Sequence, residues 1–125
     1  MSRTAIFTLL IILFVGSVFA QTKTYKSIEE TRGNEDQVVK LSLTGQHLEE
    51  IPAEVFALKN LKFISLKDNK IDSIPPEIGQ LKNLVYLDFT NNNISELPAE
   101  IGELTNLRFL GLGNASSENK IKFTG

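Results

Sequence analysis

Apolar residues recur along the middle of the chain with a period of 23 residues. The clearest unit runs from Leu58 to Gln80, and the next two units begin at Leu81 and Leu104. Five sets of positions step together at this interval: Leu41, Ile64, Leu87 and Leu110; Leu43, Leu66, Phe89 and Leu112; Leu48, Ile71 and Ile94; Ile51, Ile74 and Leu97; Pro52, Pro75 and Pro98. A fixed period of this length predicts structural units that stack on one another.

Each unit contains a short run in which apolar and polar residues alternate. In the second unit the run reads Phe63-Ile64-Ser65-Leu66-Lys67. Alternation with a period of two predicts a strand with one buried face, so Ile64 and Leu66 should point inward. Pro75 and Pro76 then end the strand pairing because proline has no backbone donor, and residues 77–79 are predicted to form one short helical or 3-10 turn.

Amide side chains recur at the bend that follows each strand. Asn69 and Asn92 occupy this place in two units, and Gln46 occupies it in the first. An amide offers both donors and an acceptor, so it can pair backbone groups that a tight bend would otherwise leave buried and unpaired. We therefore predict a structural ladder of Gln46, Asn69 and Asn92 rather than a functional site.

The pattern Leu-x-x-Leu-x-x-Leu-x-Leu-x-x-Asn-x-Leu-x-x-Leu-Pro, present in the second and third units, resembles the leucine-rich repeat family. The sequences of residues 76–79 and 99–102 are similar to its bacterial and plant-like subtypes. The resemblance covers roughly residues 38–114. It implies an α/β solenoid: a right-handed, curved superhelix with a concave parallel β-sheet of about four strands. It also implies that this sheet binds a partner, usually another protein, and that the protein has no catalytic activity of its own.

Residues 1–20 are typical of a secretory signal peptide. Arg3 lies near the start, residues 5–15 form an apolar run, and residues 18–20 approximate a small-x-small cleavage site. A membrane-spanning helix needs about 20 apolar residues, so this run is short for an anchor. We predict cleavage after Ala20, no stable membrane insertion afterwards, and a secreted or periplasmic protein. The alternative is an uncleaved signal anchor.

The segments that flank the repeats do not follow the 23-residue pattern. Residues 21–37 are polar, and Ser27 followed by Glu29 and Glu30 indicates the start of a helix. We predict a cap segment that covers the edge of the first strand, with a flexible tail as the alternative. The repeat pattern fails at the other end, in residues 115–125, which form either an incomplete repeat or a C-terminal cap.

Composition narrows the possible chemistry. The chain has no cysteine, which excludes disulfides and thiolate metal sites, and its formal net charge of −2 argues against nucleic-acid binding. The absence of cysteine in an exported repeat protein favours a bacterial source. His47 is the only histidine and lies beside Glu49 and Glu50, but we expect a solvated side chain there rather than a metal site or a general base. We therefore predict no catalytic residue, no metal site and no cofactor.

The outward positions of the predicted strands are the best candidates for a binding site. They form three columns: Lys40, Phe63, Tyr86 and Phe109; Ser42, Ser65, Asp88 and Gly111; Thr44, Lys67, Thr90 and Gly113. Aromatic side chains are enriched in binding patches, so we predict that the three rings and the flanking Lys40, Lys67 and Asp88 contact a protein partner. The alternative is that the rings only pack on one another across the strands.

Two functions follow from this pattern. The first is a non-enzymatic module that binds a protein partner through its concave sheet. The second is a structural scaffold of the cell envelope or surface that self-associates through an exposed strand edge near the C-terminus.

Overall fold

The computed structural model describes residues 22–113 and the backbone of residues 122 and 123. The predicted signal peptide and most of residues 115–125 lie outside the described residues. The described elements are, in order, β1 (Thr24–Tyr25), α1 (Ile28–Thr31), a 3-10 turn (Glu35–Gln37), β2 (Lys40–Ser42), a 3-10 segment (Ala53–Ala57), β3 (Phe63–Ser65), a 3-10 segment (Pro76–Gln80), β4 (Tyr86–Asp88), β5 (Glu96–Leu97), a 3-10 segment (Ala99–Glu103), β6 (Phe109–Gly111) and β7 (Lys122–Phe123).

The main sheet is parallel and has five strands in the order β1-β2-β3-β4-β6. Four of these strands come from the repeats, and the fifth, β1, comes from the segment that precedes them, so the main sheet has one strand more than the four or so that were predicted. Thr24 pairs with Lys40, and Tyr25 pairs with Leu41 and is buried like it. The 3-10 segments alternate with the strands, which is the arrangement of a solenoid. The right-handed sense and the concavity of the sheet stay predictions.

The segment before the repeats contains the predicted helix. Ser27 is the N-cap of α1, and its hydroxyl accepts a hydrogen bond from the Glu30 amide at 3.3 Å. The Glu30 carboxylate accepts in turn from the Lys26 amide at 3.0 Å. The first bond satisfies a backbone donor that the helical turn cannot pair by itself, and the second ties the preceding residue to the helix, so the predicted start at Ser27 is confirmed.

The core consists of the apolar positions that define the period. Ile64, Leu66 and Leu87 have no exposed surface, and the inward positions of β2 are equally enclosed. In the fourth unit Leu107, Leu110 and Leu112 are only partly buried. The reason is that the described part of the chain supplies no repeat strand beyond β6 to cover them.

A second, two-stranded sheet departs from the strict period. In it β5 pairs with β7 in parallel, and Leu97 is aligned with Phe123. A 23-residue step from Leu97 would have reached Lys120 instead. The fourth unit is therefore three residues longer than the others when measured by backbone register.

Candidate partner-binding face

The twelve residues of the three predicted columns line one side of the main sheet, which we call the open face. Successive side chains of a strand point to opposite sides of the sheet. Because Leu41, Ile64 and Leu87 point into the core, the residues on either side of them in the strand point to the open face. The parallel register aligns Lys40 with Phe63, and Tyr86 with Phe109, across neighbouring strands. The structure thus brings the sequence-predicted residues together on one surface.

The three aromatic side chains are in contact in register. The ring centroids of Phe63 and Tyr86 are 6.3 Å apart with the planes tilted by 34°, and those of Tyr86 and Phe109 are 4.4 Å apart and stacked at 8°. The three rings therefore pack on one another across the strands. This packing leaves Phe63 36% exposed and Phe109 44% exposed, and these are the exposed large apolar side chains of the described residues.

Lys40 borders the same aromatic surface. Its Nζ lies 5.1 Å from the centroid of the Phe63 ring, a distance at which an ammonium is attracted to the ring face. Beside it is an open hollow of about 320 Å³. The hollow is lined mainly by apolar surface, with Thr24, Lys40, Phe63 and Tyr86 around it.

Asp88 is buried on the open face and fully engaged in hydrogen bonds. Its Oδ2 accepts from the Tyr86 hydroxyl at 3.1 Å, and its Oδ1 accepts from the Thr90 amide at 2.9 Å. Burial by itself would raise the pKa of Asp88, but the hydrogen bonds from Thr90 and Tyr86 and the charge of Lys67 outweigh it, so the pKa is lowered. Burial, together with the hydrogen bond to Asp88 and its charge, raises the pKa of Tyr86.

Gly111 makes room for this carboxylate. A Cβ at that position would overlap Oδ1 of Asp88 and lie 2.9 Å from Oγ1 of Thr90. The absence of a side chain in the last strand is therefore what allows Asp88 to turn toward it. The sequence pattern placed Gly111 in a column but did not reveal this dependence.

The remaining polar residues of the face form a short hydroxyl chain. Thr44 Oγ1 lies 2.9 Å from Ser65 Oγ and 3.3 Å from Ser42 Oγ. Thr24 extends the first column by one strand through its pairing with Lys40. Sequence reasoning missed Thr24, because a two-residue strand is too short to show alternation.

The predicted amide ladder divides into two kinds of residue. Asn69 and Asn92 are buried, and their side chains bond to backbone groups of their own bend and of the bend before it. Gln46 is exposed instead, and its Nε2 donates to the Lys26 carbonyl at 2.7 Å. Its longer side chain reaches outward to the cap segment rather than into the first bend.

Other asparagines form a second series along the opposite ends of the strands. Asn60 donates to the Asp36 carbonyl at 2.8 Å, and Asn83 and Asn106 donate to carbonyls 24 residues earlier in the same way. They tie neighbouring units together at the surface. His47 is exposed at a bend with a φ of 57°, and no group of three or more His, Cys, Asp or Glu residues in the described part of the chain could hold a metal ion.

The fold and its open face define a solenoid of stacked strand-and-turn units. The family model described as a leucine-rich repeat region matches residues 35–123, and the chain belongs to the leucine-rich repeat family. Proteins of this family are generally non-enzymatic modules for protein interaction. No curated protein matches the chain.

A solved structure supports the same assignment. The leucine-rich repeat protein of Leptospira interrogans is 31% identical, with a TM-score of 0.55 over 75% of this chain. The match spans 30% of the length of that protein. Among the residues that our structure describes, none forms a helix with the length and apolar character needed to cross a membrane.

Proposed function

We propose that this protein binds a protein partner through the open face of its sheet and catalyses no reaction. The observation that supports this most directly is the exposure of Phe63 and Phe109, at 36% and 44%, on an otherwise closely packed molecule. Exposed aromatic surface grouped on one face is typical of a binding patch. Because the rings stand on strands, little conformational entropy is lost on association.

The shape of the solenoid favours the same face. Strands of a sheet lie about 4.8 Å apart, and the opposite wall consists of bulkier 3-10 segments, so we expect the sheet to line the concave side. Parallel crossover connections are right-handed in about 98% of cases, which supports the right-handed superhelix. The amino-terminal sequence supports a secreted or periplasmic location, where the partner would be found.

Affinity capture with the purified protein tests this function. The bait is the wild type, compared with Phe63→Ser, Phe109→Ser and the conservative Phe63→Leu. We expect the two serine variants to unfold at nearly the same temperature as the wild type and to lose the captured partner, while the leucine variant retains it. A partner that is captured equally by all four proteins would refute binding through the open face.

Sedimentation velocity at several protein concentrations distinguishes self-association from binding to another protein. A monomer at every concentration supports binding to another protein. Assembly that grows with concentration and survives both serine substitutions would favour the scaffold instead.

A further inference from the structure

We propose that the partner presents an acidic segment to the open face, with an apolar side chain in the hollow beside Phe63 and a carboxylate against Lys40. This inference rests on the proposed function, because it specifies the chemistry of the partner that the same face binds. Three features of the open face point to such a partner, namely the apolar hollow, the position of Lys40 and the net positive charge of the three columns.

The hollow has the lining of a site for an apolar side chain. Its volume of about 320 Å³ lies at the lower end of the range for ligand pockets, which is about 300–1,000 Å³. Phe63 and Tyr86 provide aromatic walls, and Ser65 and Thr24 add hydroxyl groups at the margin. A large aliphatic or aromatic side chain would cover this surface, whereas a charged group would lose its hydration there.

Lys40 places a positive charge next to the apolar hollow. The ammonium is held 5.1 Å above the Phe63 ring, and no carboxylate in the described part of the chain forms an ion pair with it. Its remaining donors can therefore reach a carboxylate of the partner, in a charge-assisted hydrogen bond. Lys67 supplies a second positive charge farther along the same face.

Within the three columns the two positive charges of Lys40 and Lys67 are opposed by one carboxylate, so this part of the open face keeps a net positive charge. Asp88 is the only carboxylate in the three columns, and it is 7% exposed with both oxygens occupied by Tyr86 and Thr90. The three repeat 3-10 segments, on the other wall, each carry an acid in the first turn, namely Glu54, Glu77 and Glu100. An acidic partner is thus attracted to the open face, whereas the acids of the opposite wall are accompanied there by Lys59 and Lys82.

A peptide-display selection against the immobilised protein tests the inference. The probe is a random peptide library, and each enriched peptide is re-tested for binding to wild type, Phe63→Ser, Lys40→Glu and Lys70→Glu. Lys70 is an exposed lysine past the Asn69 bend, off the strands, and provides a matched charge reversal. We expect the enriched peptides to combine an acidic residue with a neighbouring large apolar residue, and to bind at least ten times more weakly to Lys40→Glu while binding Lys70→Glu like the wild type.

The outcomes separate this inference from the proposed function. Peptides that lose binding to Phe63→Ser, but contain no acidic residue or bind Lys40→Glu normally, overturn the acidic partner and leave the open face as the binding site. Peptides that bind all variants equally, or a library that yields no enrichment, overturn both. A synthetic pair gives an independent measure, since replacing the glutamates of an enriched peptide with glutamines should weaken binding and remove its dependence on salt.

Discussion

Replacing Asn69 with alanine should remove the best-connected side chain in the described structure. The amide forms five hydrogen bonds. Its Nδ2 donates to the carbonyls of Leu43 and Leu66 at 2.8 and 2.9 Å, and its Oδ1 accepts from the amides of Gln46 and Leu48, both at 3.0 Å. The substitution therefore affects the backbone of two successive bends at once.

The loss of folding free energy in Asn69→Ala is the sum of the losses at the individual hydrogen bonds. The Leu66 carbonyl keeps a second donor, because Nδ2 of Asn92 also reaches it, at 2.8 Å. The buried Leu43 carbonyl loses the side-chain donor that reaches it, and an unsatisfied buried group costs about 1–3 kcal/mol. The two amides of the preceding bend are only partly buried and can turn to water, at about 0.5–1.5 kcal/mol each. We expect the free energy of unfolding to fall by about 3 kcal/mol, a large part of the roughly 5–15 kcal/mol typical of a domain.

Urea unfolding followed by circular dichroism measures this loss. Asn60→Ala is the matched control, because Asn60 is exposed and makes a single side-chain bond, to the Asp36 carbonyl. The control should lose no more than about 1 kcal/mol. Equal losses for the two variants would refute the reasoning, since burial of the bonded backbone is what distinguishes the two asparagines.

Three further predictions concern other parts of the chain. Gly111→Ala should lower the free energy of unfolding by about 1–3 kcal/mol, because the added Cβ displaces the Asp88 carboxylate, whereas Gly113→Ala, with open space around it, should have little effect in the same urea titration. Ser27→Ala should cost about 1 kcal/mol through loss of the helix cap, and a midpoint equal to that of the wild type would contradict the capping role. Asp88 has a lowered pKa in the folded state, so its contribution is present above the unfolded pKa and is lost as the pH falls through the folded pKa. The stability of Asp88→Asn should accordingly depend less on pH over the acidic range than that of the wild type, as measured by urea titrations at neutral and acidic pH.

The repeat spacing predicted most of the architecture because one physical rule, burial of alternate strand residues, applies at every step. It identified the inward positions such as Ile64 and Leu87, and the sheet they form is the one observed. It could not identify β1, because Tyr25 is the only large apolar residue of that strand and two residues show no period. The alignment of Leu97 with Phe123 was equally hidden, since three extra residues break the period that the prediction relied on.

The open face was predicted only as a set of columns. Which residues share a face follows from alternation, but the burial of Asp88 depends on a missing side chain one strand away, at Gly111. Likewise, the left-handed backbone at Gly45, Asp68 and Asn91 marks one position of the bend, and glycine, aspartate and asparagine are the residues that tolerate it. That chemical similarity was present in the sequence and could have sharpened the prediction of the bend.

The amide of Asn69 has a consequence for how the protein is made. The bend at residues 43–48 obtains its hydrogen-bond partners from a side chain that lies more than twenty positions downstream. During synthesis from the amino end, that bend stays incomplete until Asn69 has left the ribosome. Asn92 does the same for the bend that contains Asn69, so in these two cases a bend of the nascent chain is completed only by the unit that follows it, and a pause in translation would leave the newest bend without its partners.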